Sequence, residues 1–222
     1  MRYSAALLIL MTLQFSVAAQ AQLRTEGLDG GTLFVGNGSK SITIDQKRVN
    51  GIQEVTVTPS GFAVNEIRRL TLNGAVFKAH VGDIDQDGRD EFYFLGAPGG
   101  TGGYVDFIAF EEGKNETLLP IKFTDIKPDD IWYAGYEGHD NYQFQDTKLT
   151  NTFPLYEQGD ANCCPKGGSR TLIYELVDIE GSPTLIPTGF YGNKVEQTDY
   201  KEFTASSDGS EFRNDRNGEV DN

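Results

Sequence analysis

Apolar and polar positions along this chain alternate over short runs, and no window shows a long 3.6-residue period. The runs are rich in β-branched and aromatic residues and lie between clusters of Gly, Asn, Asp and Pro, a pattern typical of strands joined by turns. In the run 171–177, Leu172, Tyr174 and Leu176 share one face, which we expect to be well buried. The predicted strands are Thr32–Val35, Ser41–Ile44, Glu54–Thr58, Phe62–Leu70, Ala75–Val81, Glu91–Leu95, Tyr104–Phe110, Leu119–Phe123, Tyr142–Gln145, Thr152–Leu155 and Thr171–Val177.

These strands predict a mostly-β fold class, with a single antiparallel β-sandwich or barrel-like domain over residues 22–198. The 26 glycines are too frequent for long helices. One acidic loop of the Asp-x-Asp-x-Asp-Gly type lies between two of the strands, and it has no second copy. A propeller of repeated blades is therefore not expected.

The two ends of the chain differ in character from its middle. Residues 1–21 combine Arg2, the apolar run Ala5–Leu13 and the small-x-small pattern of Ala19 and Ala21, which is typical of a cleaved signal peptide. The apolar run is too short to span a bilayer, so we predict a periplasmic or secreted protein. Residues 199–222 are rich in acidic and poor in apolar side chains, which predicts a disordered acidic tail.

The charge balance is strongly acidic. The formal net charge is −14, with 19 basic and 33 acidic residues. Removal of the leader takes away only Arg2 among the charged residues, which brings the charge to −15. Such a surface repels nucleic acid and anionic lipid, so neither a nucleic acid nor a membrane is expected as partner. It suits cations, basic proteins or simple solubility.

The stretch 83–91 has the oxygen spacing of a calcium loop. Acidic side chains fall at alternate positions around Gly88, where a sharp turn favours a residue without Cβ, and Ca²⁺ is wrapped by oxygen ligands of this kind. An EF-hand would need Glu at position 12, where Phe94 stands within a predicted strand. The alternative is an acidic β-turn that binds nothing. The predicted ligands are Asp83, Asp85, Asp87, the main-chain carbonyl of Arg89, and Glu91.

A glycine-rich segment, 96–104, follows the next predicted strand. It lacks the Lys-Ser/Thr ending of a phosphate-binding loop, and a strand rather than a helix comes after it. The glycines favour an exposed hairpin loop whose backbone fits closely against something. The alternative is a flexible hairpin linker.

Cys163 and Cys164 are adjacent and are the only cysteines in the chain. In an oxidising compartment they cannot form a long-range bridge within the monomer. A vicinal disulfide, two free thiols and an intermolecular bridge all remain open. We expect the vicinal disulfide, holding the turn Gly159–Gly168.

Catalytic motifs are lacking in the sequence. It contains neither Gly-x-Ser-x-Gly nor His-Glu-x-x-His, and no base is recognisable near the cysteines. The chain is therefore predicted not to be an enzyme.

Six short motifs follow one another along the chain. They are the stretch from Val81 to Phe94, the Gly-rich loop ending in Tyr104, Gly135–Asp140, Phe153–Tyr156, Gly159–Asn162 and Gly167–Arg170. In this order they resemble the family of periplasmic inhibitors of invertebrate-type lysozyme, and the similarity spans roughly residues 50 to 180.

This resemblance implies a small β-rich domain that often forms homodimers. It also implies that the partner is a lysozyme, blocked by a loop that enters the active site. The inhibitory loop would be Thr101, Gly102, Gly103 and Tyr104, with Thr101 where the family has Ser. The alternative function is a calcium-stabilised extracellular binding module for a glycan or a surface protein.

Overall fold

The computed structural model describes residues 30–97, 101–124, 132–145 and 147–192, together with the backbone of 22–24. The predicted signal peptide, 1–21, and the predicted acidic tail, 199–222, lie outside the described residues. Fourteen strands and no helix occur within those ranges. The predicted mostly-β, antiparallel fold is therefore confirmed.

The strands form three sheets. The first sheet is a meander of β1 Gln22–Arg24, β2 Gly30–Asn37, β3 Lys40–Val49, β4 Ile52–Ser60 and β5 Arg68–Leu72. The second is a meander of β6 Val76–Gly82, β7 Glu91–Gly96, β8 Asp106–Glu112 and β9 Leu118–Pro120. The third has the order β10 Lys122–Phe123, β14 Ser182–Gly192, β13 Ser169–Ile179, β12 Lys148–Pro154 and β11 Asn141–Gln145. All described pairings are antiparallel except that of β10 with β14.

The second sheet lies between two hydrophobic cores, which is why every residue of β7 is buried. Because successive side chains of a strand point to opposite faces, Phe92 and Phe94 enter the core shared with the first sheet. Tyr93 and Leu95 enter the core shared with the third sheet. The uninterrupted apolar run of β7 is thus explained by burial on both sides.

The strand β14 is absent from the sequence-based prediction because two prolines interrupt it. Proline cannot donate to a ladder and is confined to edges, strand starts and bulges. Pro183 is the second residue of β14, and Pro187 borders a shift in register opposite Ile173 and Tyr174. Both prolines therefore sit where the sheet tolerates them.

Two predicted strands begin at least two residues later than expected. The run Phe62–Leu70 is a strand only from Arg68, because the side chain of Asn65 bonds both the amide and the carbonyl of Phe62, each at 3.0 Å, and closes a turn. The run predicted from Tyr104 becomes β8 only at Asp106.

Candidate functional site

The two predicted functional loops lie at opposite ends of β7. The acidic loop 83–90 precedes this strand and the glycine-rich loop follows it. Six residues of strand span about 20 Å. The two loops are therefore separate sites joined by one fully buried strand.

Four of the predicted ligands converge in the acidic loop. One carboxylate oxygen from each of Asp83, Asp85, Asp87 and Glu91 lies within 4.8 Å of the others, so the group could hold a metal ion. The carboxylate of Asp83 shapes the loop by accepting the amides of Asp87 and Gly88, both at 3.0 Å. Gly88 has a φ of 85°, a left-handed conformation that glycine adopts without steric penalty.

Glu91 is the buried member of this cluster of four acidic residues. Its side chain has no solvent exposure; Oε2 accepts the Ile84 amide at 2.7 Å, and Oε1 has no hydrogen-bond partner. Burial raises the pKa of Glu91 to about 9, and the negative charges of Asp85 and Asp83 add to the effect. A buried carboxylate oxygen without a partner is destabilising unless a proton or a cation neutralises it.

Arg89 takes a different place from the other predicted ligands. Its guanidinium pairs with Asp87 and with Oε1 of Glu111, the latter at 2.6 Å, and its Nε donates to the Glu112 carbonyl at 2.7 Å. The side chain thus supplies positive charge beside the acidic group. A ligand role for its main-chain carbonyl stays a prediction.

The glycine-rich loop is anchored through its backbone. The carbonyl of Gly102 accepts the His139 amide at 2.8 Å, and that of Gly103 accepts the Asp140 amide at 3.1 Å. The Thr101 carbonyl accepts Nδ2 of Asn162 at 3.0 Å. The loop is therefore held by two other turns of the chain.

The backbone at position 138 approaches that of Gly102 so closely that only glycine fits there. A Cβ on Gly138 would lie 1.9 Å from the Gly102 carbonyl oxygen, and the φ of Gly138 is 92°. Any other residue there would push the glycine-rich loop away and strain its own backbone. The loop and the turn around Gly138 thus fit only because this side chain is absent.

Tyr104 projects from the anchored loop. Its side chain is 53 % exposed, and its ring packs edge-to-face against Tyr136 with 5.7 Å between the centroids. Tyr104 lies before β8, which begins at Asp106. Between the two, the Val105 amide donates to the Asp140 carboxylate at 3.1 Å. An exposed aromatic ring in a fixed position suits contact with a partner.

Asp140 is a central residue that sequence reasoning did not single out. Besides the Val105 amide, its carboxylate accepts Tyr136 Oη at 2.9 Å and Asn151 Nδ2 at 2.7 Å. Its only signal in the sequence was its place at the end of Gly135–Asp140. The segment before β8, the turn at Tyr136 and the strand β12 are thus all bonded to this one carboxylate, which fixes the base of the glycine-rich loop.

Cys163 and Cys164 are bonded to each other, and both are exposed. The turn around them is closed by Asp160, whose Oδ2 accepts the amides of Glu157 at 2.8 Å and Lys166 at 2.9 Å. These two amides hold the pKa of Asp160 below its ordinary value. The predicted turn Gly159–Gly168 therefore carries the disulfide beside the glycine-rich loop.

No protein-family model, curated protein or solved structure gives a significant match to this chain. The described residues include no apolar helix of the length that crossing a membrane requires.

Proposed function

We propose that this protein inhibits a lysozyme by inserting the loop 101–104 into the active-site cleft of the enzyme. The observation that carries the proposal is the half-exposed ring of Tyr104 on a loop whose backbone is fixed at Thr101, Gly102 and Gly103. A preorganised loop loses little conformational entropy on binding. The proposed compartment, periplasmic or secreted, depends on the leader at residues 1–21.

The arrangement of the distant motifs supports this proposal. Gly135–Asp140 and Gly159–Asn162 are separated from the loop by roughly 30 to 60 positions in the sequence, yet both contribute its backbone anchors. These two segments of the resemblance thus lie beside the loop that carries Tyr104, whereas Val81–Phe94 lies at the other end of β7.

The chemistry of the surface suits the cleft of a glycan-cleaving enzyme. The aromatic ring of Tyr104 would occupy a sugar-binding subsite, and the exposed hydroxyl of Thr101 would donate to a catalytic carboxylate. Glu137 and Glu157 are exposed on the same surface. Together with the net charge, they favour rapid association with a basic enzyme.

A lysis assay tests this proposal. The rate at which a bacterial suspension clears would be measured for several lysozymes, including an invertebrate-type enzyme, with and without the folded protein. Inhibition of at least one lysozyme at a stoichiometric ratio is expected. If the folded protein leaves every lysozyme class fully active, the proposed function is wrong.

A second function is favoured by the unpartnered oxygen of Glu91. We propose that the acidic group binds Ca²⁺, a hard cation that takes carboxylate and carbonyl oxygens as ligands. Asp83, Asp85, Asp87 and Glu91 would hold it. Calcium binding without inhibition of any lysozyme would favour a calcium-stabilised extracellular module that binds a glycan or a surface protein.

A further inference from the structure

We propose that the Cys163–Cys164 disulfide is a redox switch for the loop 101–104. In the oxidised protein the disulfide keeps the loop anchored; its reduction by a dithiol releases the loop and weakens binding of the partner. The effect on binding rests on the proposed function. The effect on the loop does not, and it is measurable on the protein alone.

Asn162 connects the disulfide to the loop. It directly precedes Cys163, and its Nδ2 donates to the Thr101 carbonyl at 3.0 Å. Its own main-chain carbonyl accepts Tyr156 Oη at 2.7 Å. The ring that the disulfide closes across one peptide bond restricts the backbone next to Asn162. Opening that ring lets this backbone sample more conformations, and anchoring Asn162 then costs more conformational entropy.

The rest of the turn does not depend on the sulfurs. Asp160 still accepts the amides of Glu157 and Lys166 after reduction, because these bonds involve neither cysteine. The two hydrophobic cores also contain neither cysteine. Reduction should therefore loosen the region around Asn162 while the sheets stay folded.

Both cysteines are exposed, so a dithiol reductant can reach either sulfur. Its thiolate attacks one sulfur and forms a mixed disulfide, and the other cysteine leaves as a thiolate. The second thiol of the reductant then displaces the remaining cysteine. The protein gains two electrons and two protons, and the reductant departs as a cyclic disulfide.

Amide hydrogen exchange tests the switch. The informative amides are those of His139 and Asp140, which donate to the loop carbonyls of Gly102 and Gly103. After reduction with dithiothreitol, both amides should exchange about two- to tenfold faster. This is the change expected when the free energy that holds the loop in place falls by the contribution of one hydrogen bond. Amides that pair β3 with β4 in the first sheet should be unchanged and serve as the internal control.

Two variants reproduce the change without a reductant. Cys163→Ser combined with Cys164→Ser should exchange as fast as the reduced protein. Asn162→Ala should have the same effect while its disulfide is intact. Because dithiothreitol and Asn162→Ala act independently of the double substitution, a folding defect in that variant would leave the test valid.

Two results would overturn the switch. The first is unchanged exchange at His139 and Asp140 in protein whose mass shows the gain of two hydrogens. The second is faster exchange with equal inhibition of a susceptible lysozyme in both redox states. If exchange rises but no lysozyme is inhibited in either state, the control of the loop stands and only the proposed target fails.

Discussion

Glu91 accepts the main-chain amide of Ile84 through Oε2 at 2.7 Å, while Oε1, equally buried, has no hydrogen-bond partner. The bond to Ile84 fixes the orientation of the side chain, and one carboxylate oxygen of Glu91 lies within 4.8 Å of carboxylate oxygens of Asp83, Asp85 and Asp87. A proton or a cation must neutralise this buried carboxylate.

Calcium should stabilise the protein through this group. At about 10 mM Ca²⁺, with the dissociation constant of about 10⁻⁴–10⁻³ M typical of extracellular modules, binding only to the folded state adds about 1.4–2.7 kcal/mol to the free energy of unfolding. Melting curves in EDTA and in Ca²⁺ measure this. Asp85→Asn should remove the response, whereas Glu175→Gln, an exposed change on β13, should keep it. Identical wild-type curves in both buffers would leave the loop an ordinary acidic turn.

Stability without metal should fall as the pH rises. The pKa of Glu91 is raised to about 9 in the folded protein, from an ordinary value of 4.5. Between these values the folded state holds a proton that the unfolded state releases, so the free energy of unfolding decreases by up to about 1.4 kcal/mol per pH unit. Urea unfolding in EDTA from pH 5 to pH 9 measures the slope. Glu91→Gln should flatten it, and an equally steep slope in that variant would assign the effect to other groups.

Tyr104→Ala should weaken inhibition while the fold stays intact. The loss of a desolvated aromatic anchor costs about 2 kcal/mol or more in binding. Because the side chain is 53 % exposed, its loss should change the melting temperature little. Phe34→Ala removes an aromatic ring of similar exposure from the first sheet and should leave inhibition unchanged. Full inhibition by the Tyr104 variant would exclude this loop as the inhibitory element.

Thr101→Ala should have a smaller effect on binding than Tyr104→Ala. The substitution removes one exposed hydroxyl, and a buried carboxylate of the partner then lacks a donor, at about 1–3 kcal/mol. Its main-chain carbonyl still accepts Asn162, so the loop should stay anchored. Inhibition constants of Thr101→Ala and Thr101→Ser, measured with the same lysozyme, test this, since Ser should retain most of the affinity.

Asp140→Ala should destabilise the base of the loop. It leaves the Val105 amide, Tyr136 and Asn151 without their acceptor, which should lower the free energy of unfolding by about 2–4 kcal/mol. Asp178→Ala is the matched control: its exposed carboxylate accepts only the Gly181 amide among the described residues, so its loss should cost about 1 kcal/mol or less. Equal effects in urea unfolding would contradict the central role of Asp140.

Local patterns in the sequence predicted most of the strands and the acidic loop. The alternation in β2, β3 and β4 is visible because each of these strands has one buried and one accessible face, as Leu33 and Val35 show beside the more exposed Phe34. The Asp-x-Asp-x-Asp-Gly spacing predicted its loop because the hydrogen bonds that shape it span only two to five residues. Because these interactions join residues close in sequence, the order of residues is enough to predict them.

Only the tertiary structure decided which segments that are distant in sequence contact one another. The strand β14 is stable despite Pro183 and Pro187 because β13 supplies a long partner and a shift in register beside Pro187. The second sheet lies between two cores. The uninterrupted apolar run of β7 indicates burial on both faces, but it does not say which sheets cover them. The anchors of the glycine-rich loop come from Asp140 and Asn162, which the sequence places roughly 40 and 60 residues away. Contacts of that range depend on how the sheets pack, which the pattern along a single sequence does not specify.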